Sequence, residues 1–102
     1  HFAVVKRAVG EELGWIRAGF EGAQDFDFVL RVVEKFKNIH HISKVLYHWR
    51  KIEGSTAESF SDKDYAYEAG RKALLDHMKR QGIEGKTFHN HSQEVRLLLQ
   101  AL

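Results

Sequence analysis

The stretch EGAQDFDFVLRVVEKF limits the possible folds more than any other part of the chain. From Phe26 onward its apolar residues fall at Phe26, Val29, Leu30, Val33 and Phe36. That spacing of three and four places them on one stripe of a helix, whereas a strand would require alternation. A helix is therefore predicted from residue 26 to about 37. Asp25 stands just before it, where a carboxylate can cap free backbone N–H groups and suits the positive end of the helix dipole. Asp25 and Asp27 would point about 200° apart around a helix, which argues against one cation being held by both.

With 102 residues the chain is one domain or a piece of one. It contains no proline, which favours helix. Residues 2–5 are expected as a short strand and 6–13 as a short helix stopped by Gly14. A loop over 15–22 then uses the backbone freedom of Gly19 and Gly22. Residues 39–50, rich in β-branched and aromatic side chains, read as two short strands broken at Ser43 and Lys44. Alternation in the second strand puts Val45, Tyr47 and Trp49 on one face, and Leu46, His48 and Arg50 on the other.

After a polar loop over 53–61, Ser61 and Asp64 resemble a capping box. Ala66, Ala69, Ala73, Leu74, His77 and Met78 mark one face of a long helix ending before Gly82, and their small size predicts close packing. Val95, Leu98, Leu99 and Leu102 give a last helical segment over 91–102. The fold class expected is α+β, mostly helical with a few short strands.

Sixteen basic and 14 acidic side chains leave a formal charge of +2, and no block of like charge stands out, which gives nucleic-acid binding little support. Cysteine is absent, so neither a disulfide framework nor a thiolate metal site is available. No apolar run approaches the ~18 residues of a membrane span, and no signal-peptide pattern opens the chain. The expectation is a soluble, cytoplasmic protein, or one peripheral at the inner face of a membrane. The chain begins at His1 inside an apolar run, so it is expected to be a fragment lacking upstream residues.

Seven histidines invite a metal-site reading, but no HExxH pattern occurs. His40 and His41 would face opposite sides of a strand, and His89 and His91 suit a surface loop. His48 differs because Arg50 would share its face. An imidazole beside a guanidinium could meet a metal-bound phosphate, and could equally be a solvated strand-edge histidine. Asp25 is likewise open between helix-start acid and functional carboxylate, while Asp62 and Asp64 read as helix-start acids. Ser55 lies in GST rather than GxSxG, and no GxxxxGK[ST] loop is present, but Gly54, Ser55 and Thr56 could offer donors to an anion.

The order of these features is more specific than any one of them. GFEGAQDFDFVLRV, followed by IHHISKVLYHWRKIEGSTA and then DKDYAYEAGRKALLDHMKRQGIEG, resembles the C-terminal half of the catalytic domain of family-2 glycosyltransferases with the GT-A fold. The rhamnosyltransferase-like and O-antigen-type members are the nearest subgroup, with a pattern close to G-x-[EQ]-D-x-D-L-x-L-R, then V-L-Y-H-W-R, then G-S-T. The resemblance covers about residues 2–85. Ser43 stands where the pattern has proline, and residues 86–102 match nothing in it, so they are expected as a divergent helical tail.

The resemblance implies that Asp25, preceded by Gln24 on the substrate side, is the general base taking a proton from an acceptor hydroxyl. The field at a helix start lowers a carboxylate's basicity, so burial would have to compensate. The resemblance also implies that His48 completes the coordination of Mg²⁺ or Mn²⁺, with Arg50, Ser55 and Thr56 near the diphosphate. The whole chain is then a single partial domain, the acceptor-side half of the catalytic domain. The parent enzyme would move a sugar from a nucleotide-sugar donor to a glycan or lipid-linked acceptor in polysaccharide biosynthesis, by a metal-assisted inverting reaction. The nucleotide-binding half would precede His1, so the fragment alone should be inactive and bind no metal tightly. The alternative is a small helical interaction module that self-associates, its exposed apolar surface covered by a second copy.

Overall fold

The computed structural model describes residues 2–50, 64–89 and 95–99. Three helices are followed by a two-stranded sheet: α1 (Arg7–Leu13), α2 (Gln24–Lys35), α3 (Asp64–Gln81), β1 (Gly85–His89) and β2 (Val95–Leu99). The architecture is α+β and mostly helical, as the sequence predicts.

Helix α1 stops where Gly14 adopts a left-handed conformation, φ 76°, and the N–H of Trp15 bonds back to the Gly10 carbonyl at 2.9 Å. Trp15 is itself left-handed, φ 58°, which turns its indole back over α1. A Cβ on Gly10 would lie 2.2 Å from that ring, so glycine is what allows the indole to rest there. Between α1 and α2 the loop turns at Gly19 and Gly22, φ 88° and 86°, as its glycines suggest.

Helix α2 packs on α3, and the stripe that defines it in the sequence is only partly covered: Leu30, Val33 and Phe36 are half-buried. Its buried residues are Asp27 and Arg31, a line that continues from Ala23 before the helix to half-buried Glu34. Phe26 and Val29 are exposed. Facing this line, α3 presents Ala69, Gly70, Ala73, Leu74 and Met78, all buried, so the close packing expected from its small residues is present. On this inner side Asp27 bonds to Arg17 and Arg31, and Arg31 also reaches the Leu13 carbonyl at the end of α1.

Three local expectations are corrected. Residues 2–5 and 39–50 form no strand, although their composition suits one. A lone extended segment leaves its N–H and C=O groups unpaired, and no partner strand lies beside them among the described residues. Phe2 stacks on Tyr47 instead, ring centroids 5.5 Å apart. The tail expected as a helix holds a strand: Val95–Leu99 pairs antiparallel with Gly85–His89, Gly85 opposite Leu99 and His89 opposite Val95. A short leucine-rich run suits either period, and pairing decided between them.

Candidate active site at the start of α2

Asp25 and Asp27 share the first turn of α2 and have opposite environments. Asp25 is exposed; its carboxylate accepts a hydrogen bond from the N–H of Phe26 at 2.8 Å. The residue expected to cap the helix from outside therefore lies inside its first turn, and Ala23 occupies the cap position with no side-chain bond. The described residues do not bury Asp25. Gln24 turns back, its side-chain oxygen accepting from the N–H of Gly22 at 2.8 Å and closing the turn that leads into the helix.

Asp27 is 0% exposed and ties the loop to α2. Arg17, from the loop, donates to both carboxylate oxygens, one bond at 3.0 Å, and Arg31 donates to Oδ2 at 3.0 Å. Burial alone would raise the Asp27 carboxyl, but the bonds and charges of Arg17 and Arg31 outweigh it and hold the group below the usual carboxylate range. Arg31 also donates to the carbonyls of Leu13 and Trp15, the former at 2.7 Å. One cation thus satisfies acceptors left free at the end of α1 and suits its negative dipole end.

Arg17 extends the network to α3 through Asp76 at 3.4 Å and lies over the Phe20 ring, 4.3 Å from its centroid. Further along the interface, Glu34 takes the Nδ1 of His77 at 2.7 Å and both Arg80 Nε and Nη2. The Arg80 bonds, against the opposing effect of burial and with help from His77, hold the Glu34 carboxyl low. Helix α2 is therefore locked at both ends, and the backbone bearing Asp25 is fixed in its rotation.

The other predicted site residues are not gathered around Asp25. His48 and Arg50 lie in the exposed irregular segment 36–50, and among the described residues no hydrogen bond or ion pair joins either to Asp25. Their shared face, argued from strand alternation, loses its basis because that strand is absent. Ser55, Thr56 and the Ser61 cap lie outside the described residues. Among the described residues no three His, Asp or Glu side chains converge on a metal-sized site. The sequence does not show this network. The four-residue spacing of Asp27 and Arg31 is its one local signal, whereas nothing local points to Arg17.

With 42% identity over 82 residues, 80% of the chain aligns with a segment of the O-antigen biosynthesis protein RfbC of Myxococcus xanthus. The chain is similar to part of that protein. It is also 51% identical over 82 residues, 78% of its length, to the uncharacterized protein y4gI of Sinorhizobium fredii. The chain spans only 6% and 9% of the lengths of these two relatives. No family model matches the chain, and no solved structure does. Among the described residues no helix is long and apolar enough to cross a membrane.

Proposed function

We propose that the chain is the acceptor-side part of a family-2 glycosyltransferase of the GT-A class, acting in polysaccharide biosynthesis on a glycan or lipid-linked acceptor. The observation that carries this reading is the 42% identity with a segment of an O-antigen biosynthesis protein. The arrangement of α2 suits it: an exposed carboxylate stands on a helix whose rotation is set by a buried ionic network. Burial of Asp25 would then come from bound acceptor and from the remainder of the enzyme.

In this reading Asp25 accepts the proton of the acceptor hydroxyl as that oxygen bonds to the anomeric carbon. The bond from that carbon to the nucleoside diphosphate breaks from the opposite face, and its electron pair leaves with the phosphate oxygen, inverting the centre. Gln24 lines the same side, while Arg50, Ser55 and Thr56 stand by the diphosphate. A divalent cation, Mg²⁺ or Mn²⁺, would neutralise charge on the leaving diphosphate. Of its ligands this chain offers His48 alone, and the described residues do not complete a site.

The test is Asp25→Asn in the complete enzyme. Transfer should fall by about 10²- to 10⁴-fold, with nucleotide-sugar binding retained. Wild-type turnover in that variant removes the base assignment.

A second reading, self-association as an interaction module, rests on the apolar surface of 36–50, where Val45 is 81% and Leu46 69% exposed. Light scattering on this chain separates the two. A dimer lost on Val45→Glu supports self-association, and a monomer supports a surface that meets other parts of the enzyme.

A further inference from the structure

Beside the start of α2, the loop bearing Gly19–Gly22 and one side of α3 enclose an open groove of about 550 Å³. This is within the ~300–1,000 Å³ usual for small-molecule clefts. Tyr65, Glu68 and Lys72 follow one another at three- and four-residue spacing, so they share that side of α3, next to the buried line of Ala69 and Ala73. Glu21 projects from the opposite wall.

The walls are built rather than loose. The Glu21 carboxylate accepts from the N–H of Gly19 at 2.9 Å, and that bond, with its own backbone N–H, keeps the group below the usual range and ionised. Lys72 places its ammonium 4.5 Å from the centroid of the buried Phe20 ring and 3.3 Å from the Gly19 carbonyl. The Tyr65 ring edge packs against Gly22, where a Cβ would lie 2.7 Å away, and the ring remains 52% exposed. Gly22 in turn bonds to Gln24, so the groove ends next to the residue that precedes Asp25.

The chemistry of these walls selects a ligand class. Glu21, Glu68 and Asp76 offset Arg71 and Lys72, so there is no excess positive charge for a phosphate or nucleotide. Ala69 and Leu75 add apolar wall beside the Tyr65 ring, and charged side chains, among them the Glu68–Arg71 pair at 3.5 Å, edge it, so the groove offers an amphipathic surface. A polyhydroxylated neutral ligand fits, because every hydroxyl both donates to carboxylates and accepts from ammonium or guanidinium groups. The apolar C–H face of a pyranose can lie on the phenol ring as other apolar surfaces do.

We infer that this groove binds a pyranose ring of the acceptor glycan, with Tyr65 as its platform and Glu21, Glu68, Arg71 and Lys72 bonded to its hydroxyls. The inference deepens the proposed glycosyltransferase reading and rests on it for the word acceptor, but sugar binding itself is measured without turnover.

The isotope-labelled chain is titrated with methyl glycosides of gluco, galacto, manno and rhamno configuration and followed by NMR. At least one should give saturable shifts at the amides of Gly19, Glu21, Gly22 and residues 65–72. Tyr65→Ala should weaken binding about 3- to 10-fold, while Tyr65→Phe keeps the platform and the affinity. Absence of shifts at these amides with all four glycosides, or equal binding by Tyr65→Ala, overturns the inference.

In the complete enzyme, Tyr65→Ala and Glu68→Gln should raise KM for the acceptor without changing kcat or KM for the donor. An unchanged acceptor KM counts against the groove. If the groove binds glycosides but Asp25→Asn turns over normally, the base assignment fails and the groove stands. If Asp25→Asn is inactive and the groove variants change nothing, the groove alone falls.

Discussion

Nε of Arg31 lies 3.0 Å from Oδ2 of Asp27, one turn earlier on α2, and the same guanidinium donates to the Leu13 carbonyl at 2.7 Å. The pair therefore does two things at once. It fixes which side of α2 faces inward, and it closes the end of α1. Because Asp27 is fully buried and Arg31 nearly so, neither can turn to water if its partner is removed.

Asp27→Ala should destabilise the chain by about 3–5 kcal/mol, the usual cost of leaving one buried charge without its partner. Arg31→Met should cost less, because Asp27 keeps its two bonds to Arg17 while the Leu13 and Trp15 carbonyls lose their donor. The double variant Asp27→Ala with Arg31→Met should lose less than the two singles together, because no unpaired charge remains at their contact. Urea unfolding of the four proteins measures the coupling, and additive losses would show that the pair does not act as a unit.

Acid should weaken the fold in a defined window. The Asp27 and Glu34 carboxyls are both held below their ordinary values, against burial, by arginine partners. When folded-state values lie below unfolded ones of ~3.9 and ~4.3, the unfolded chain binds more protons as pH falls through that range. Their contribution is then full above about pH 5 and is lost as pH drops through ~4 toward the folded values. Urea midpoints measured across this range should fall with pH, and Asp27→Asn should show a shallower fall. A parallel curve for Asp27→Asn would remove Asp27 from the acid response.

Two glycines with similar dihedrals should respond differently to alanine. At Gly22, φ 86°, a Cβ would meet Tyr65 at 2.7 Å and the Ala66 Cβ at 2.8 Å. Gly22→Ala should therefore combine the left-handed penalty with overpacking and cost about 2–5 kcal/mol. At Gly14, φ 76°, nothing lies within 4 Å, so only the backbone penalty of about 1–2 kcal/mol applies. Thermal unfolding of both variants tests the order, and equal losses would mean that the loop moves freely away from α3.

His48→Ala in the complete enzyme should move the metal titration of nucleotide-sugar binding to higher metal concentration, since a neutral imidazole ligand is lost. Asp25→Asn should leave that titration unchanged. An unaltered titration in His48→Ala removes the proposed ligand role.

Much of the helical framework is legible residue by residue. Gly14 marks the end of α1, the three- and four-residue apolar spacing marks α2, and the small face of Ala69 and Ala73 marks how α3 packs. Segments 2–5 and 39–50 have the composition of strands but do not form them, because β-branched and aromatic side chains fit a sheet without supplying the partner that completes one. Val95–Leu99 differs in the opposite direction, a strand where a helix is expected, because its leucines satisfy both periods. Of the candidate site, Asp25 could be singled out by its place at a helix start and by resemblance. Arg17 could not, because its bonds to Asp27 and Asp76 span ten and 59 residues.

The sequence by itself determined that α2 is a helix and that its two aspartates point apart, since both follow from the period of 3.6 residues per turn. Only the tertiary structure decided which of the two is buried. Rotating α2 to bury Phe26 and Val29 would carry Asp27 and Arg31 outward, away from Arg17 and from the carbonyls at the end of α1. The ionic network and the α1 carbonyls hold the Asp27 face inward, which leaves Asp25, Phe26 and Val29 at the surface and Leu30 and Val33 half-buried. That choice rests on groups far apart in the chain, so no local pattern could have expressed it.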